Sequence, residues 1–128
     1  MDPLTARAEA VNLLEEAMRN YQQALAILPA TYAEAHPLGN INIRLFQLDS
    51  NRRRLADAER FLLQAVAMQL PPGERPREAL FSLGIVYEYL GNFLEAERRF
   101  REAAEAYADE PEQRQRAIMN ANRVAGRQ

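Results

Sequence analysis

The sequence predicts an all-α fold of about six helices, folded as antiparallel hairpins stacked one on the next. Over residues 75–107, apolar side chains recur at intervals of three and four, break at Gly91-Asn92, and resume at once in the same period. A like succession of small and large apolar residues occupies 38–66. The breaks between these periodic stretches are turn-forming: Asp49-Ser50-Asn51, Gly91-Asn92, and the Pro-rich run around Pro71, Pro72, Gly73 and Pro76.

Taken in order, the first helix spans 3–28, with Asp2 as N-cap, Pro3 at the first helical position and Pro29 as the stop. Thr31-x-x-Glu34 then has the form of a capping box. His36-Pro37 conflicts with it, because a proline at the sixth helical position loses a backbone hydrogen bond and clashes with the preceding turn. The expectation is either a kink there or a helix start near Pro37. Leu38, Ile41, Leu45 and Leu48 follow in helical phase, and a third helix points Leu55, Ala58, Leu62, Ala65 and Val66 inward, closing a hairpin over 31–69.

A second hairpin covers 76–107. Its first helix carries Leu80, Leu83-Gly84, Tyr87 and Leu90 on one face; its second carries Phe93, Ala96, Phe100 and Ala103. Two amphipathic helices joined by a two-residue break must fold back antiparallel, each covering the other's stripe. Gly84 and Ala96 are the small residues that let the backbones approach. The last helix, 110–125, starts after Asp109 or near Pro111 and has a narrow stripe of Ala117, Ile118, Ala121, Val124 and Ala125. That suits a helix capping the stack, or the first helix of a further repeat.

Leu80-x2-Leu83-Gly84-x2-Tyr87, Ala96-x3-Phe100 and a following Pro111 resemble the tetratricopeptide repeat (TPR), whose pattern is W-x2-L-G-x2-Y, A-x3-F and Pro. Leu80 stands for the Trp, and the proline comes late. Ala17-x3-Tyr21-x2-Ala24-Leu25-x3-Pro29 resembles the second-helix half of a repeat, and TYAEAHPLGN the start of the next. The first-helix half matching the opening helix would precede residue 1, so either Leu4 to Val11 extends that helix or the chain is a piece of something longer. Ala17 to Gly39 is 22 residues and Gly84 to Ala96 is 12, and 22 + 12 makes the TPR period of about 34. Gly39 to Ala58 is 19, seven more than 12, which is about two extra helical turns and keeps the same faces inward. The repeat is thus nearer 40 residues, similar to the long-helix TPRs of bacterial regulators and signalling scaffolds. The resemblance implies a short solenoid, a single domain over 1–128, and a protein-binding scaffold.

Composition narrows the function. At 128 residues with a net charge of −2, the chain has no global field favouring nucleic acid or anionic membrane. It has no cysteine, hence no disulfide, thiolate metal site or cysteine nucleophile. All 16 basic residues are Arg, scattered as compositional bias scatters them. Met1-Asp2-Pro3 lacks a basic leader, and no apolar run approaches the ~18 residues of a membrane span, so a cytoplasmic protein is expected. His36 is the only histidine, and the carboxylate pairs Glu15-Glu16, Glu95-x-Glu97 and Glu102-x-x-Glu105 have arginines at helical spacing. With no glycine-rich phosphate loop and no metal-ligand spacing, no catalytic, cofactor or metal residue is expected.

Phe81, Ile85 and Tyr89 form a second apolar stripe on a helix whose own hairpin needs only one. The TPR resemblance implies that this face lines a concave groove, with His36, Asn40, Ile43 and Arg44 from the earlier repeat and Phe81, Ile85, Glu88 and Tyr89 from the later one. The competing reading covers the stripe with neighbouring helices. Arg52-Arg53-Arg54, placed at a helix N-terminus against the macrodipole, calls for compensation by Asp49, Asp57 or an acidic partner. The function expected is non-catalytic binding of a peptide or protein segment. The alternatives are an assembly element that homo-oligomerises through unmatched terminal helices, and nucleic-acid binding through Arg52–Arg54 and Arg98-Arg99-x-Arg101.

Overall fold

The computed structural model describes residues 2–27, 32–68, 70 and 73–128, with the backbone alone at 21, 24–27 and 32–35. These residues form six helices and no strand: α1 (Pro3–Ile27), α2 (Tyr32–Asp49), α3 (Arg53–Ala67), α4 (Arg77–Tyr89), α5 (Phe93–Ala106) and α6 (Pro111–Ala125). Thr31 and the Glu34 side chain, which would make the capping box, and the stop at Leu28-Pro29 lie outside what is described, as do 69, 71 and 72 of the Pro-rich loop.

Local chemistry accounts for most boundaries. The Asp2 carboxylate accepts the Thr5 amide at 2.9 Å and the Thr5 hydroxyl at 2.8 Å, supplying a partner for an orphan donor of the first turn. Asn92 does the same for the Glu95 amide at 3.3 Å, and Pro111 starts α6 where its missing N–H costs nothing. Gly91 takes a left-handed φ of 79° between α4 and α5, which glycine adopts without strain. At the α2–α3 turn the same role falls to Ser50, with φ 56°. Pro37 does not begin α2; it lies inside a helix already running from Tyr32. The lost hydrogen bond is outweighed by the face that follows, where Leu38, Asn42, Ile43 and Leu45 are buried.

Neighbours in sequence are neighbours in space. The closest pairings are α2 with α3, α4 with α5, and α5 with α6; α3 packs on α4, α1 rests on α2, and α2 also touches α4. In both hairpins a glycine of the first helix seats a large side chain of the second. A Cβ on Gly39 would lie 2.4 Å from Leu62 Cγ, and one on Gly84 would lie 2.6 Å from the Phe100 ring. Leu55, Ala58, Leu62 and Ala65 on α3, and Ala96, Phe100 and Ala103 on α5, are buried as their spacing predicts. Leu90 departs from expectation: α4 ends at Tyr89, so Leu90 is a cap residue and 37% exposed. Among the described residues, no helix is long and apolar enough to cross a membrane.

Candidate functional site

α4 is the hub of the molecule, and its side chains show which neighbour lies on each side. Gly84 receives Phe100 of α5. The Tyr87 phenol faces Glu59 of α3; burial, with that carboxylate beside it, pushes the phenol up to about 12. The Ser82 hydroxyl donates to Asn40 Oδ1 of α2 at 2.8 Å, and Gln47 Nε2 donates to the Tyr89 hydroxyl at 3.1 Å. On the opposite flank Glu88 takes the Arg123 guanidinium of α6 through both carboxylate oxygens, one at 2.9 Å, and Arg127 lies 3.7 Å away. The outer side of α4 is therefore bounded by α2 on one flank and, through Glu88, by α6 on the other.

The stripe Phe81, Ile85 and Tyr89 is divided along this face. Phe81 is half-buried, edge-on to Phe100 at 5.2 Å, with the Arg116 guanidinium 5.2 Å above its ring. Tyr89 is 40% exposed and packs edge-on to Phe46 at 5.0 Å. Ile85 lies between them, half-buried against the central core. Neither reading of the stripe covers all three: neighbouring helices claim much of Phe81, while Ile85 and Tyr89 keep a free side.

Of the residues expected on the α2 side, Ile43 is corrected. It is 7% exposed and belongs to the same core as Leu62, Leu83 and Tyr87, because that side of α2 turns into the joint with α4. Arg44 is exposed, its guanidinium donating to Gln47 at 3.3 Å. His36 and Asn40 are joined, Nε2 to Nδ2, at 2.9 Å. Burial holds the His36 imidazole below its ordinary value against the pull of Glu78, which leaves the ring neutral near pH 7. Glu88 is half-buried and already paired.

The arginine run divides as well. Arg54 donates to Asp49 at 3.2 and 3.3 Å and to Glu15 of α1 at 3.2 Å, which satisfies it inside the chain and ties α1 to α3. Asp57 pairs with Arg60 instead, at 3.5 Å. Only Arg52 and Arg53 keep exposed side chains from the proposed acidic-partner contact. Sequence reasoning missed Ser82 and Gln47, and also the α6 contribution of Arg116, Met119, Asn120 and Arg123. The last four sit at i, i+3, i+4 and i+7, a spacing that marks one helix face. Met119 is 61% exposed.

The α6 helix buries Ala117, Ala121 and Val124 at the spacing of Ala79, Leu83 and Val86 on α4. The residue after Ala121 is Asn122, held by Arg101 at 3.3 Å, where α2 and α4 have their seating glycines. α6 thus lacks the seat that both hairpins use. No family model, no curated protein and no solved structure matches the chain.

Proposed function

We propose that this chain is a non-catalytic protein-interaction module, TPR-like in design, that takes a peptide or protein segment on the face of α2, α4 and α6. The observation that carries the reading is Ile85. A large aliphatic side chain stays half-exposed at the middle of that face. Around it stand exposed or half-exposed groups able to orient a ligand: Asn40, Arg44, Tyr89, Arg116 and Asn120. Apolar contact surrounded by a few directed polar groups is how peptide grooves combine affinity with register.

Selection of displayed random peptides tests this. Wild-type protein should enrich peptides that Ile85→Gln binds about 10-fold or more weakly, in line with the loss of one half-buried aliphatic contact. Its melting temperature should stay near that of wild type, whereas Leu83→Ala, in the seam, should lower it strongly. No enrichment, or equal binding by Ile85→Gln, would remove the reading. Self-association has weaker support. Leu13 of α1 is 68% exposed, but α6 offers Asn122 where a paired second-type helix would need a glycine.

A further inference from the structure

A chain of three polar side chains crosses the joint between α2 and α4. Ser82 Oγ donates to Asn40 Oδ1 at 2.8 Å, and Asn40 Nδ2 lies 2.9 Å from His36 Nε2. The Asn40 amide is therefore oriented from both ends. Its carbonyl takes the serine proton, so its amino group faces the imidazole, and Nε2 must be the acceptor. The amide itself is exposed, while Ser82 is buried and His36 half-buried.

We infer that His36, Asn40 and Ser82 form a proton-operated relay that reverses the hydrogen-bonding polarity of this face in mild acid. A proton taken from solvent onto Nε2 makes that nitrogen a donor, and two donors then face each other at 2.9 Å. The Asn40 side chain relieves the conflict by turning about 180° about its terminal bond. Its carbonyl now accepts from His36, and its amino group donates to Ser82 Oγ, which gives up the Asn40 acceptor and redirects its own proton. The spare lone pair and spare N–H of the exposed amide change places. A ligand lying over Asn40 thus meets a donor where it met an acceptor.

The charged group that His36 feels from α4 is Glu78, whose carboxylate favours the imidazolium. Burial opposes it, so the relay operates below the ordinary imidazole range. A surface histidine that merely titrated would leave the amide and the hydroxyl as they were. The relay goes beyond the binding reading and stands whether or not a peptide is the ligand.

Nuclear magnetic resonance of the full chain tests it. The Asn40 side-chain amide signals should move with the same midpoint as the His36 ring protons, below the ordinary value, and should be flat with pH in His36→Phe. Asn40→Asp replaces the turning amide with a fixed acceptor and should raise the His36 midpoint by about one pH unit or more. Ser82→Ala, which frees the amide from its second anchor, should raise it by a smaller amount. An Asn40 amide that ignores the His36 titration would overturn the relay. So would an Asn40→Asp midpoint equal to that of wild type.

Discussion

The two hairpins, α2–α3 and α4–α5, are built on the same seat and differ in how well each is finished. Gly39 under Leu62 and Gly84 under Phe100 are equivalent, and Ala58 and Ala96 each lie four residues before the seated side chain. The first seat spans 62 − 39 = 23 residues and the second 100 − 84 = 16, and the seven-residue difference is absorbed as about two helical turns without changing faces. Three residues after each glycine comes a buried polar group, Asn42 in one and Tyr87 in the other. Tyr87 reaches Glu59, whereas Asn42 donates to Leu38 O at 2.9 Å and leaves its own carbonyl oxygen buried without a partner. The turns differ in the same direction: Gly91 is unstrained at positive φ, and Ser50 is not. Helix phase and seating alone are enough to build a hairpin. A partner for the polar residue three after the seat and an unstrained turn are refinements the first hairpin lacks, although α5 of the second also keeps Arg99 Nε and Glu102 Oε1 buried without a hydrogen bond.

The equivalence of the seats is broken or upheld by filling them. Gly39→Ala and Gly84→Ala should each cost about 1–3 kcal/mol, since a new methyl meets Leu62 or Phe100 well inside van der Waals contact. Gly84→Ala should cost more, because a ring has no softer end to yield. Urea midpoints at constant slope measure both. A neutral Gly39→Ala would show that only the second hairpin uses its glycine as a seat.

The buried polar position should respond with opposite signs. Asn42→Leu removes an unpaired acceptor at similar volume and should stabilise the protein by about 1–2 kcal/mol. Tyr87→Phe leaves Glu59 without its phenol and should destabilise it by about 1 kcal/mol. If Asn42→Leu lowers the melting temperature, the Asn42 carbonyl has a partner in solution and the contrast between the hairpins shrinks.

The smallest effect is at the turns. Ser50→Gly should add about 0.5–1 kcal/mol by relieving the left-handed residue, and Gly91→Ser should remove about as much. Equal and opposite changes in thermal unfolding would make turn chemistry a simple exchange between the hairpins. A neutral Ser50→Gly would mean that the serine's strain is offset by the extra freedom glycine brings to the unfolded chain.

The helices, their inward faces and the pairing into hairpins were legible in the sequence because each depends on residues close along the chain. A period of three and four, a cap such as Asp2 or Asn92, and a break such as Gly91-Asn92 need no knowledge of distant partners. The candidate site was legible only as a face of α4. Its finish depends on residues about 35 to 42 positions apart: Asn40 with Ser82, Gln47 with Tyr89, Glu88 with Arg123. Ile43 was expected on the open face and is buried. Arg54, for which Asp49, Asp57 or an acidic partner was expected, is paired with Asp49 and also with Glu15 of α1, which its neighbours in sequence did not indicate. A helix wheel states which residues share a side. Only the packing of α2, α4 and α6 decides which of those sides is closed by a neighbour and which is left open.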